Sequence, residues 1–170
     1  SGTLAVPLIV GMGAAAELAG QLLADESKRL SYLRDKLEGE VLKACDFVYV
    51  NGDKDHRLPN TTNLSFEFIE GESFIMALPE ICVSSGSACT SASLEPSHVI
   101  RALGVKEELA HSSIRFTLGR RSTEQDVDTT IEKVKAAVKR LRDMSPLYEM
   151  AQKGMDINSI KWTAGEGARH

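Results

Sequence analysis

Aromatic residues are scarce in this sequence, with five Phe, three Tyr and one Trp making 5% of 170 residues. So few rings cannot tile a surface for stacked bases, and the formal net charge of -4 lacks the clustered cationic excess that phosphate binding needs. A nucleic-acid protein is therefore not expected. Cysteine is as sparse: Cys45, Cys82 and Cys89 form no CxxC pair and no even framework, which points to free thiols in a reducing compartment. A metal site would need more ligands at suitable spacing than Cys82, Cys89 and His98 provide, so none is expected. Uninterrupted apolar runs fall short of the ~20 residues that span a bilayer, so no membrane partner is expected. The apolar start, SGTLAVPLIVGMGAAAEL, has no basic segment ahead of it, so it reads as the interior of a longer chain and not as a secretory signal.

What is present reads as an ordinary globular domain, 42% hydrophobic and 26% charged. From Pro7 to Ala44, Leu18, Leu22, Leu30, Leu33, Leu37 and Val41 recur at helical steps. Gly11 and Gly13 weaken the first turns and suit a close approach by another segment or subunit. Phe47 to Val50 is a short strand stopped by the turn dipeptide Asn51-Gly52. Asn63 to Ile69 alternates apolar and polar residues as a half-buried strand does, and ESFIMAL follows Gly71 as a short helix. A short strand at Ile81–Val83 leads into a run of small residues. Pro96 opens the next helix and Gly104 sits just past its end, and Ser113 to Leu118 alternates again. Ser122 and Gln125 form a capping box for a helix carrying Val127, Ile131, Val134, Val138 and Leu141. After Pro146 the periodicity fades. Helices and strands mixed without regular βαβ alternation predict an α/β fold, a small sheet covered by helices with a long helix at the N-terminus.

The chemistry centres on Ser84 to Ser93, SSGSACTSAS, ten residues with nothing larger than threonine around Cys89. Such a loop buries little apolar area and stays exposed and adaptable. Its thiol is either an incidental surface cysteine or a nucleophile, since reactivity follows exposure and thiolate character. Cys82, within the apolar ICV run, reads as a small buried core residue, and Cys45 as structural. His111 reads as a partly buried structural histidine. A thiol hydrolase using Cys89 with His98 or His111 is conceivable, but the local signatures of such enzymes are absent. Arg115 shares a strand face with Ser113 and Thr117, where it is either merely solvated or, if the face lines a cleft, suited to grip a carboxylate with its planar fork.

SSGSACTSASLEP, RALG and ELAHSSIRFTLGR, together with SGTL, IVGMG, VNGD, EGES, SPLYEM and INSIKW, closely resemble the C-terminal part of the cysteine desulfurases of iron–sulfur cluster assembly, which are pyridoxal-phosphate (PLP) enzymes of aminotransferase class V and fold type I. The resemblance implies conversion of L-cysteine to L-alanine, with PLP as electron sink and Cys89 taking the sulfur as a persulfide. It also implies that Arg115 binds the substrate carboxylate and that Thr3 reaches the PLP phosphate of the partner subunit in a homodimer. Residues 1–44 would be a helix connecting to the PLP-binding large domain, 45–145 a small α/β domain carrying loop 84–93, and 146–170 a C-terminal tail. The tail from Ser145 to Trp162 would contact the iron–sulfur scaffold protein or pack on its own domain, and other sulfur acceptors would also be partners. The family's Schiff-base lysine lies upstream in a Ser-His-Lys motif. None of the histidines here, 56, 98, 111 and 170, is followed by lysine, so the chain alone is expected to be inactive; the alternative reading is a non-catalytic interaction module. The location implied is the mitochondrial matrix in a eukaryote and the cytoplasm in a bacterium.

Overall fold

Thirty-nine consecutive residues, Val6–Ala44, form α1, about 58 Å of helix at 1.5 Å per residue. The structure is a computed structural model that describes residues 2–85 and 97–155. The second half of α1 buries Leu30, Leu33, Leu37 and Val41, spaced by threes and fours along one stripe. The first half exposes Leu4, Val6, Leu8, Ile9, Val10 and Met12. By length and composition this half could cross a bilayer, and none of it is buried. The apolar run is therefore longer than the sequence reading allowed: Glu17 is its single charged residue between Val6 and Leu23, and glycines and alanines fill the rest.

Four strands follow, β1 (Val48–Val50), β2 (Thr61–Phe66), β3 (Ser84–Ser85) and β4 (Ser113–Thr117), in the order β1-β2-β4-β3 with every neighbouring pair antiparallel. Between them lie the short helices α2 (Gly71–Met76), α3 (His98–Ala102) and α4 (Glu107–His111). The chain continues through α5 (Glu124–Asp143) and α6 (Pro146–Gln152). Leu64, Phe66, Ile114 and Phe116 share one sheet face and meet Leu37 and Val41 of α1 and Val127, Val134 and Val138 of α5 in a single core. Phe74 of α2 closes it, its ring centroid 4.6 Å from that of Phe66.

The expected α/β fold with a long first helix is thus present, with several boundaries moved. β2 starts at Thr61 and stops at Phe66, because Phe68 turns into the left-handed region at φ 67°. Phe47, at φ 52°, likewise falls outside β1. Such angles cost about 1–3 kcal/mol each in a bulky residue. Buried Arg142 offsets the cost by donating to the carbonyls of Asp46 at 2.6 Å, Phe47 at 3.1 Å and Glu67 at 3.2 Å, charge-assisted bonds of about 1.5–3 kcal/mol each. Its guanidinium lies 5.3 Å from the Tyr148 ring, so the start of α6 packs on its own domain. The edge strand is Ser84–Ser85 and not Ile81–Val83, and α4 and α6 were not foreseen. The capping box of α5 is Thr123 with Asp126, each satisfying the other's backbone N–H. Ser122 instead accepts from Gly119 N at 2.9 Å, closing the preceding turn. Gly104 takes the left-handed position past α3 at φ 76°, as expected.

Candidate functional site

The side chains alternating with the core residues make a second, polar face. On β4, Arg115 and Thr117 are exposed there, whereas Ser113 is buried, so the expected row of three is divided. Arg115 is paired with Asn63 of β2 on one side and Ser84 of β3 on the other. Directly opposed residues point to the same face with Cβ atoms ~4.5–5.5 Å apart, so Asn63, Arg115 and Ser84 form a row across three strands. Among the described residues the Arg115 side chain has no hydrogen-bond or ion-pair partner. Its guanidinium can therefore accept an outside anion in a bidentate grip.

A hydrogen-bonded chain runs along this face toward Asn63. Ser65 Oγ donates to Leu109 O of α4 at 2.7 Å. Asn51 Nδ2 donates to Ser65 Oγ at 2.8 Å and to Asn63 Oδ1 at 2.7 Å. The alternation of NLSF puts Asn63 and Ser65 on the polar face, but it gives no sign of which distant residues lie beside them. The row and the chain were accordingly absent from the sequence reading.

Other candidates are placed differently from expectation. Cys82 is exposed and not in the core. The ICV run sits before the sheet edge, where Ile81 and Val83 are only partly buried. Cys45 is buried, and burial pushes its thiol above the ordinary range, which makes it inert. His111 is exposed, not partly buried, and the part of it that matters to packing is its carbonyl, against Gly71. His98 is exposed at the start of α3. Thr3 is exposed ahead of α1, about 40 Å of helix from Leu30, so the structure does not bring it to Arg115 of the same chain. Cys89 and Trp162 lie outside the described residues.

Residues 1–130 match the family model for aminotransferase class-V. The chain is 56% identical over 163 residues to the cysteine desulfurase of Homo sapiens, covering 96% of this chain and 36% of that protein. It is 57% identical over 163 residues to the cysteine desulfurase IscS of Proteus mirabilis, covering 96% and 40%. Among solved structures, the NifS-like protein from Rickettsia africae superposes with a TM-score of 0.71 at 31% identity, over 82% of this chain and 36% of that one. DndA from Streptomyces lividans gives 0.52 at 35% identity, over 69% and 32%. The chain thus spans less than half the length of these curated relatives. The small antiparallel sheet with its helices is shared with the NifS-like structure, and the family match takes in most of the chain, so this protein belongs to the aminotransferase class-V family.

Proposed function

We propose that this chain is the substrate-gripping and sulfur-carrying portion of a cysteine desulfurase. The observation that supports it best is the strand register: the chain runs on from Ser84–Ser85 toward Cys89, and Ser84 is the direct strand neighbour of Arg115, whose side chain has no partner among the described residues. Cys89 follows Ser85 by four residues. Four residues of chain span at most about 14 Å, which tethers the thiol to the neighbourhood of that arginine.

In this reading Arg115 holds the carboxylate of L-cysteine with two parallel hydrogen bonds, fixing the amino acid's orientation. The Cys89 thiolate attacks the substrate sulfur. The C–S bond of the substrate breaks, an S–S bond to Cys89 forms, and the substrate carbon gains a proton. One L-cysteine and one thiol thus become one L-alanine and one persulfide, the carbon being reduced as the sulfur is oxidised. The persulfide then passes to a scaffold protein of iron–sulfur assembly or another thiol acceptor.

The family implies PLP, but the described residues do not by themselves form a cradle for it. Thr3 and Arg115 stand far apart, and no histidine is followed by lysine. The cofactor's pocket, like the cover for the exposed first half of α1, is assigned to the additional length found in the relatives and to a partner subunit. Gly11, Gly13 and Gly20 carry open space where a Cβ would stand, which suits close packing by such a cover. The location follows the host: mitochondrial matrix in a eukaryote, cytoplasm in a bacterium.

The test is to incubate protein of the relatives' full length carrying this chain with L-cysteine, and to measure alanine and sulfide. Cys89→Ala is expected to abolish both, along with the persulfide detected on the parent protein. Undiminished sulfide release from the variant would show that Cys89 is not the carrier.

A further inference from the structure

The hydrogen-bond chain on the polar face has a direction, and that direction is fixed at one end. A carbonyl oxygen can only accept, so Ser65 gives its single hydroxyl proton to Leu109 O at 2.7 Å. The Ser65 oxygen is then an acceptor toward its other neighbour, and Asn51 must meet it with Nδ2, at 2.8 Å. The same NH2 group supplies its second hydrogen to Asn63 Oδ1 at 2.7 Å. Flipping the Asn63 amide would set nitrogen against nitrogen. Asn63 is thereby held with its oxygen toward Asn51 and its NH2 turned away, and that NH2 has no acceptor among the described residues. The carbonyl of Leu109, three hydrogen bonds away, decides which end of Asn63 is free.

Asn63 is also the direct cross-strand partner of Arg115. A free amide donor with a set orientation therefore sits beside a free guanidinium on one face. We infer that Asn63 is a second carboxylate donor, its NH2 oriented by Leu109, Ser65 and Asn51 so that it and Arg115 together hold the carboxylate of the amino-acid substrate. The inference rests on the reading of Arg115 as the carboxylate grip. A carboxylate offers about four lone-pair sites, enough for two bonds from the arginine fork and one from the amide. The fork alone fixes the plane of the carboxylate. A donor on one side of it also distinguishes the two oxygens, which sets the direction in which the rest of the amino acid points.

Side-chain N–H signals in nuclear magnetic resonance spectra of this 170-residue chain test the idea directly. The chain is titrated with sodium acetate, and sodium chloride at matched ionic strength is the blank. The Arg115 Nε–H and both Asn63 Nδ2 hydrogens are expected to shift along one binding curve with acetate and not with chloride. Asn63→Leu, of similar size but without a donor, is expected to weaken acetate binding about tenfold, the effect of losing one hydrogen bond to a charged group. Asn51→Leu, which frees the Asn63 amide to rotate without removing it, is expected to weaken binding by less. Thr117→Val, on the same strand face, should change nothing. If Arg115 responds to acetate while the Asn63 signals stay still, or if a folded Asn63→Leu chain binds as the parent does, the inference fails and the Arg115 reading stands. If Arg115 shows no acetate-specific shift, the Arg115 reading falls and this inference falls with it. Should Asn63→Leu not fold, the parent titration still decides between these outcomes.

Discussion

On one face of the sheet, Leu64, Phe66, Ile114 and Phe116 are removed from water beneath α1 and α5. On the other, Asn63, Ser65 and Arg115, each one residue away along the same strands, are joined by hydrogen bonds or left open to a ligand. The strand period of two makes this separation possible, since neighbours in sequence are neighbours on neither face. Stability is thereby assigned to the side chains of one face and the proposed binding to those of the other. A free guanidinium does not weaken the core, and the core does not restrict which donors the polar face carries.

The sharpest way to break that division is Phe66→Ala. Phe66 is fully buried and packs against the tilted ring of Phe74, and removing it should cost about 3–5 kcal/mol of unfolding free energy in urea titrations. Arg115→Ala on the same sheet should stay within about 0.5 kcal/mol of the parent. Comparable losses from the two substitutions would mean that the faces do not divide the work in this way.

The second test addresses the point where the two covers meet. Gly71 begins α2, which packs over the core, and a Cβ built there would lie 2.5 Å from the carbonyl oxygen of His111 at the end of α4. Alanine favours a helix over glycine by about 1 kcal/mol, but here it must push one backbone from another. Gly71→Ala should therefore be destabilising by about 1–3 kcal/mol. It should also loosen α4, seen as faster amide exchange at Leu109 and Ala110. A neutral or stabilising result would show that the contact relaxes freely.

How much of this was legible beforehand follows from the same division. Helical spacing and strand alternation are local, and they were enough to indicate α1, α5, β2 and β4 and the polar placement of Arg115. Short elements were missed because their causes are distant. β3 is two residues long and exists by pairing with β4, and α6 is held partly by the Tyr148 ring beside Arg142. Phe47 and Phe68 turn where strand propensity favours continuing, and one arginine from α5 supplies the compensation. Cys82 was misplaced because an apolar triplet looks the same before a sheet edge as inside a core. The site was half visible: the sequence singled out Arg115, but its neighbour Asn63 is a property of register, which no single strand specifies.

The smallest expected effect is a pH dependence at the rim of the core face. Glu38 of α1 is buried, which by itself would raise its pKa. The hydrogen bonds from Arg57 at 2.6 and 3.1 Å and from Thr62 Oγ1 at 2.6 Å outweigh burial, with the nearby charges of Arg57 and Arg34 adding to them, and hold the carboxyl below its ordinary 4.5. A folded-state pKa below the unfolded one means that the unfolded chain binds the proton more readily, so the contribution is complete above about pH 4.5 and is lost as pH falls through the lowered value. Other carboxylates with hydrogen-bond partners, half-buried Glu26 and exposed Asp126 among them, are shifted in the same direction, so the whole chain should lose stability on acidification. Urea titrations from pH 7 to pH 3 on the parent and on Glu38→Gln isolate this residue's share, and the variant should show the shallower decline. Parallel curves would mean that the Glu38–Arg57–Thr62 cluster holds its proton equilibrium unchanged on unfolding, and that the pH response of the core face comes only from its exposed surroundings.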